Sequence, residues 1–366
     1  MTVTVERPQT SSPSLPRLRP IARIAGVGTA TTATSYTQTE LLDLLSVTNP
    51  KIRSLFLNSA IERRSLVLPP PDTAGHRAPE PQGDLLDKHR RLAVGMGIEA
   101  LTACLTAAGA DLRDLRHLCC VTSTGFLTPG LSAHIIRDLR IDRHCSRIDI
   151  VGMGCNAGLN ALNVVSGWAA ANPGELAVVL CVEACSAAYA LDGTMRTAVV
   201  NSLFGDGAAA VALAAGTPGA GARILKFASC VIPDAIDAMR YDWDREQGRF
   251  SFFLDPGIPY VVGAHAELVA DRLLSGTGLR RSRIAHWLVH SGGKKVIDAV
   301  AVNLGLTRHD VRHTVGVLRD YGNVSSGSFL FSYERLIQEG VVCPGDYGVL
   351  MTMGPGSTIE MALVQW

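Results

Sequence analysis

Short, apolar, β-branched runs recur along this chain, each followed or preceded by a stretch with helical spacing, and that alternation narrows the fold more than anything else. Runs at 117–123, 176–183, 208–213, 224–232, 286–290, 347–352 and 357–364 are apolar almost throughout instead of alternating with polar residues. A strand that is apolar on both faces is buried on both faces, so these runs predict sheets covered on each side by helices. Helical spacing appears at 40–58, 84–108, 133–139, 159–171, 261–274, 294–304 and 328–339. The two halves also rhyme. An apolar strand ends in a small-residue loop at Val121-Thr-Ser-Thr-Gly125 and again at Val289-His-Ser-Gly-Gly293. A duplicated α/β architecture follows, with a loose Ser/Thr/Pro tail over 1–18, one half over 19–222 and a second over 223–366.

Charge and composition exclude several functions. The 34 Lys+Arg against 33 Asp+Glu argue against a nucleic-acid coat or a polybasic membrane anchor. No uninterrupted apolar run reaches the ~18 residues of a membrane span, and the N-terminus lacks a signal-peptide layout, so a cytoplasmic protein is expected. Several of the nine cysteines sit inside apolar runs, where a thiol acts as a small hydrophobe. Their spacings match no common zinc template, and no metal site is predicted.

Three positions carry chemistry. In Gly152-Met-Gly-Cys155-Asn-Ala-Gly158 a strand gives way to a helix, which puts Cys155 near a helix N-terminus. Free backbone N–H groups and the helix dipole favour a thiolate there. A buried structural cysteine would read the same way, and the glycine spacing departs from the dinucleotide pattern by one residue. His290 closes a buried strand beside glycines, where open α/β sheets hold ligands, although a core histidine fits that place equally. Asn323 precedes a helix in Tyr321-Gly-Asn-Val-Ser-Ser326 and is otherwise an ordinary turn or cap residue. Together a thiol, an imidazole and a carboxamide donor suit thioester exchange and enolate stabilisation. A papain-like protease shares the chain order Cys, His, Asn, but its nucleophile segment and fold pattern are missing. A ketoacyl synthase of fatty-acid initiation also uses Cys, His and Asn, though it would need to recognise an acyl carrier protein. A non-catalytic assembly protein would need none of the three.

The segments GMGCNAG, SLFGDGAAAV, WLVHSGGKKVIDAV, YGNVSSGSFLF and MGPGSTIE, spread over the chain from about residue 21 to its end, resemble the chalcone synthase-like type III polyketide synthases. That resemblance implies an α/β thiolase-like fold, a duplicated α/β/α/β/α layered core with mixed sheets. It implies an acyltransferase acting on CoA thioesters without a cofactor, condensing malonyl-CoA with loss of carbon dioxide. Cys155 would carry the acyl group, and His290 would hold it as thiolate and, with Asn323, donate to the thioester carbonyl. Phe204 and Phe252 match the gatekeeping phenylalanines, and Cys185, Ala188, Ser325 and Gly293 match cavity positions. Thr128 takes the place of a Met that reaches the cavity of the partner in a homodimer. Asn156 replaces a Phe of the plant enzymes, and Cys185 and Ala188 replace threonines. On the CoA-binding helix Lys51 is kept, while Ser54 and Asn58 replace basic residues. Arg53, Arg63 and Arg64 are the candidates to compensate. Enoyl-CoA hydratase-like accessory proteins are implied partners.

Overall fold

The computed structural model describes residues 21–366 apart from 74, 76, 217 and 218; the tail read over 1–18 lies outside them. The first half contributes strands β1 (Arg23–Ala30), β2 (Ser35–Thr37), β3 (Arg63–Ser65), β4 (Leu115–Thr122), β5 (Ser146–Val151), β6 (Leu176–Glu183) and β7 (Gly207–Ala214). The second contributes β8 (Arg223–Val231), β9 (Met239–Asp244), β10 (Arg249–Leu254), β11 (Ile284–Val289), β12 (Tyr347–Gly354) and β13 (Thr358–Gln365). Between them run helices α1 (Gln38–Leu44), α2 (Pro50–Leu57), α3 (Gln82–Ala108), α4 (Leu131–Asp138), α5 (Ala157–Ala171) and α6 (Met195–Asn201). The later helices are α7 (Ile258–Leu274), α8 (Lys294–Leu304), α9 (Arg312–Tyr321) and α10 (Ser328–Glu339).

Nine strands form one mixed sheet in the order β11-β12-β13-β8-β1-β7-β6-β4-β5. Outward from its centre, the sheet repeats itself. On one side β1 is antiparallel to β7, β7 to β6, and β6 parallel to β4. On the other β8 is antiparallel to β13, β13 to β12, and β12 parallel to β11. The halves meet where Arg23 of β1 pairs with Arg223 of β8. Only β5, parallel to β4 at the outer edge, lacks a counterpart among the described residues.

The apolar strands are buried on both faces as their composition demands. In β6, Ala177, Val179 and Cys181 join a central core with α5 and α10, while Val178, Leu180 and Val182 face the core under α3 and α4. In β12, Leu350 faces the central core, and Val349, Met351 and Met353 pack with α7 and α8. Alternating side chains thus serve two hydrophobic layers. The layers run α3/α4, first half-sheet, α5/α10, second half-sheet, α7/α8, as a thiolase-like fold requires.

Helix α3 is apolar and long enough to cross a membrane by length and composition, yet it is a core helix. Its backbone lies directly on β1: a Cβ on Gly28 would sit 2.3 Å from Cys104 N, and one on Gly26 2.5 Å from Ala108 N. The helix expected over 40–58 is instead two, α1 and α2. Ser46 turns into the left-handed region (φ 51°), and Asn49 caps α2 through Lys51 N with Pro50 in the first turn, where proline belongs. The hairpin β9–β10 and helix α9 were not anticipated from sequence.

Candidate active site

The duplication also builds the site. In each half a single 3₁₀ turn leads into the central helix: Gly154–Asn156 into α5, and Ser325–Gly327 into α10. The first turn carries Cys155. Gly154 has φ 74°, and a Cβ there would meet Pro355 Cδ at 2.3 Å, so only glycine lets the elbow close against the loop after β12.

Cys155 is 7% exposed, and its Sγ lies 3.6 Å from Ser325 Oγ. The Asn323 side chain also favours ionisation of the sulfur. Its Oδ1 accepts from Ser325 N at 2.9 Å, which turns the amide N–H groups outward as donors. The Asn323 backbone is fastened to the segment around Phe204: Asn323 N donates to Leu203 O at 2.9 Å, and Gly205 N donates to Asn323 O at 3.0 Å. His290 is buried, with Nδ1 bonded to Ser328 Oγ at the start of α10, leaving Nε2 as the nitrogen able to meet a ligand.

Here the structure departs from the expected thiolate. No hydrogen bond joins His290 to Cys155 among the described residues. Burial pushes the Cys155 thiol up to about 12, Ser325 and Asn323 offset this only in part, and nearby Glu183 raises it further. Burial also drives His290 down to about 3. Desolvation disfavours both charged forms and outweighs the helix N-terminus that the sequence argument relied on. In the unliganded pair burial therefore favours the thiol and the neutral imidazole. Alkylation of Cys155 by iodoacetamide should accordingly climb about tenfold per pH unit from pH 6 to 9, followed by peptide mass spectrometry. A plateau already reached at pH 7 would reveal a resting ion pair and overturn this assignment.

Sequence reasoning missed Glu183. It is fully buried, accepts from Ser123 N at 2.9 Å, Ser325 Oγ at 3.2 Å and Ser326 Oγ at 2.5 Å, and burial lifts its carboxyl to about 7. The signal was present: an acid closing the otherwise apolar strand LAVVLCVE needs dedicated donors.

Cys155 opens into a cavity of about 340 Å³. Phe204, Phe252, Cys185, Ala188 and Ser325 line it, as expected, together with Ser123, Thr124, Tyr189, Val200, Tyr241 and Arg240, which were not. Phe252 and not a neighbour lines the cavity: its ring meets Phe204 edge-on at 5.9 Å and Tyr241 at 5.1 Å. Tyr241 stands opposite Phe252 across β9–β10, so the hairpin forms one aromatic wall. Gly293 immediately precedes α8, where a Cβ would lie 3.7 Å from Leu203 Cδ2, and it does not line the cavity. Thr128 is exposed and also outside it.

The CoA-binding candidates separate. Lys51 and Arg63 are exposed, and Arg63 donates to Ser35 Oγ at 2.9 Å. Arg53 donates to Val47 O at 3.0 Å and stands 3.9 Å from Asp43. Arg64 is a correction. It is 0% exposed and donates to Tyr189 Oη at 2.7 Å, Phe204 O at 2.5 Å and Gln38 Oε1 at 2.9 Å. Strand pairing of β2 with β3 turns Arg63 to solvent and Arg64 inward, so Arg64 braces the Phe204 backbone and is too buried to meet a phosphate.

Residues 82–217 match the chalcone and stilbene synthase N-terminal domain, and 227–366 match the C-terminal domain. A 3,5-dihydroxyphenylacetyl-CoA synthase of Amycolatopsis balhimycina is 76% identical over 367 residues, covering 100% of this chain and 98% of the relative. One of Streptomyces toyocaensis is 77% identical over 353 residues, 95% of this chain and 90% of the relative. The crystal structure of 1,3,6,8-tetrahydroxynaphthalene synthase from Streptomyces coelicolor A3(2) superposes with a TM-score of 0.86 at 28% identity, covering 94% of this chain and 99% of that one.

Proposed function

This chain belongs to the chalcone and stilbene synthase family, the type III polyketide synthases, and on that premise we propose that it converts malonyl-CoA into 3,5-dihydroxyphenylacetyl-CoA. The observation that carries the specific product is 76% identity along the whole chain to a synthase of that name. The site supplies chemistry of the right kind. As substrate arrives, His290 Nε2 takes the proton of Cys155, the sulfur attacks the malonyl carbonyl, and CoA leaves as its thiolate, which takes a proton from solvent, so His290 stays protonated. Asn323 and the protonated His290 donate to the carbonyl oxygen as a bound malonyl group loses carbon dioxide, and the resulting enolate attacks the acyl-cysteine carbonyl.

Carbon counting sets the cyclisation. Four malonyl units, each losing carbon dioxide, give an eight-carbon chain. Its terminal carbon attacks the ketone nearest the thioester, and loss of one water with enolisation leaves two meta hydroxyls and a CH₂–CO–S arm. Four malonyl-CoA thus yield one aryl-CoA ester, three CoA, four carbon dioxide and one water. This aldol closure keeps the thioester, whereas a Claisen closure would expel it.

The cavity favours a short chain. At about 340 Å³ it lies at the small end of the ~300–1,000 Å³ usual for ligand sites, and the Tyr241 ring occupies part of its wall. Lys51 and Arg63 are the cations offered to the CoA phosphates. A homodimer is supported by the exposed edge strand β5, with Ile148 38% and Val151 42% exposed, and by Phe126, 69% exposed near Thr128. Gel filtration giving only monomer would contradict it.

Mass spectrometry after incubation with malonyl-CoA alone tests the proposed reaction. The expected product is the eight-carbon aryl-CoA ester or its acid; a tetrahydroxynaphthalene would replace it with the activity named for the 31% identical Streptomyces peucetius relative. Tyr241→Ala should enlarge the cavity and move part of the product to longer chains, by several-fold in product ratio. An unchanged product spectrum would remove Tyr241 from length control.

A further inference from the structure

A second cavity of about 350 Å³ lies between α1, α2 and α6, and the reaction above makes no use of it. Its walls set Leu44, Val47, Ile52, Leu191 and Ala198 among serine, threonine and asparagine side chains. Two of its polar side chains are left with unmet hydrogen-bonding capacity. Asn201, 6% exposed, donates through Nδ2 to Ala190 O at 2.9 Å, and this leaves its buried Oδ1 without a partner. An orphaned buried acceptor of this kind is costly, and a ligand's N–H or O–H relieves it. Arg77 also lines the cavity; among the described residues its guanidinium bonds only to the Pro69 carbonyl, and it has no carboxylate partner.

We propose that this cavity is a regulatory site for a hydroxylated arylacetic acid, with the ring on the apolar side chains, a phenolic O–H on Asn201 Oδ1 and the carboxylate on Arg77. A ring, a hydroxyl donor and an anion on one small molecule answer the three features together, which a fatty acid or a bare phosphate does not. The free acid of the proposed product, 3,5-dihydroxyphenylacetate, has that composition, and choosing it as the physiological ligand rests on the proposed function. The chemical class rests on the cavity alone.

The site is wired to the catalytic one. Helix α6 sends Val200 into the catalytic cavity and Ala198 and Asn201 into the second. Asn201 holds the carbonyl of Ala190, whose neighbour Tyr189 lines the catalytic cavity and donates to the backbone carbonyl of the gate residue Phe204 at 2.5 Å. A ligand bearing on Asn201 therefore presses on the wall beside the gate, and inhibition should lower kcat instead of competing with malonyl-CoA.

Calorimetric titration with 3,5-dihydroxyphenylacetic acid, paired with steady-state kinetics on malonyl-CoA, tests this. Wild type should bind one equivalent per chain and show a fall in kcat with KM little changed. Arg77→Gln should weaken binding at least about tenfold, the loss of one charge-assisted contact, while turnover without the acid stays as in wild type. Arg77→Lys should keep most of the affinity, and phenylacetic acid, which has no hydroxyl for Asn201, should bind about tenfold more weakly. No binding at millimolar acid, or competitive inhibition indifferent to Arg77→Gln, would overturn the proposal by leaving only the catalytic cavity. A rise in KM for malonyl-CoA in Arg77→Gln would overturn it too, assigning the cavity to the CoA path. Product identity is read separately by mass spectrometry, so a naphthalene product would sink the proposed function and leave the binding result standing.

Discussion

Cys155→Ala should form no measurable product from malonyl-CoA, a loss of at least about 10⁴-fold, with the fold intact. Removing a nucleophile disables every later step that passes through the acyl-enzyme, and losses of this size are typical for such groups. The structural cost is small. The sulfur touches an open cavity, so its loss leaves no sealed void, and the destabilisation should stay below ~1–2 kcal/mol. A second readout separates this from general damage. Asn323 and His290 keep their anchors on Ser325 and Ser328 in the variant, so the donors for the enolate oxygen remain. Slow release of carbon dioxide from malonyl-CoA should therefore persist in Cys155→Ala. Asn323→Ala should reduce it, by about 10²–10³-fold, the usual loss for one such donor. Labelled malonyl-CoA with trapping of carbon dioxide measures both. Full product from Cys155→Ala would transfer the acyl-carrying role elsewhere, and Cys185 in the same cavity would be the place to look.

What the sequence revealed and what it hid follow from the range of the interactions. Cys155, His290 and Asn323 were legible because each sits where an apolar strand or a helix changes into a glycine- or serine-rich turn, a pattern written within a few residues. The alternation of strand and helix survived for the same reason, since burial on both faces leaves its mark on every residue of β6 and β12. The protonation state of the site was not legible. A helix N-terminus argues for a thiolate, but only the packing of Phe204, Tyr189 and Cys185 around Cys155 shows that desolvation outweighs it. The Phe252–Tyr241 wall depends on hairpin register, and Phe253 one place along points instead at Arg240, whose guanidinium stacks 4.5 Å from its ring. Adjacent residues of a strand face opposite ways, so a motif match that is uncertain by one residue is uncertain about the whole side chain.

Arg63 and Arg64 bring that lesson to an experiment, because sequence offers two equal cations and the fold makes them opposites. Arg64→Ala should destabilise the protein by ~3–5 kcal/mol, the loss of three buried hydrogen bonds from a charged donor together with its packing. That corresponds to a fall in Tm of roughly 4–7 °C for a chain of this length. Its three partners lie far away in sequence, Tyr189 by 125 residues, Phe204 by 140 and Gln38 by 26, so one side chain ties β3 to α1 and to the gate. Stripping it away removes the donor to Tyr189 Oη and Gln38 Oε1, leaves Phe204 O with Tyr189 as its remaining donor, and empties the space over the Phe56 ring, where the guanidinium stands 5.7 Å from the centroid. Arg64→Lys should recover little, since an ammonium cannot span those directions with a planar fork. Arg63→Ala, by contrast, should change stability by less than ~0.5 kcal/mol and act on KM for malonyl-CoA. Thermal unfolding and kinetics on the three variants decide the matter. If Arg64→Ala kept the wild-type Tm and raised only KM, the arginine would be a phosphate ligand after all, and the gate would have to be held by something else.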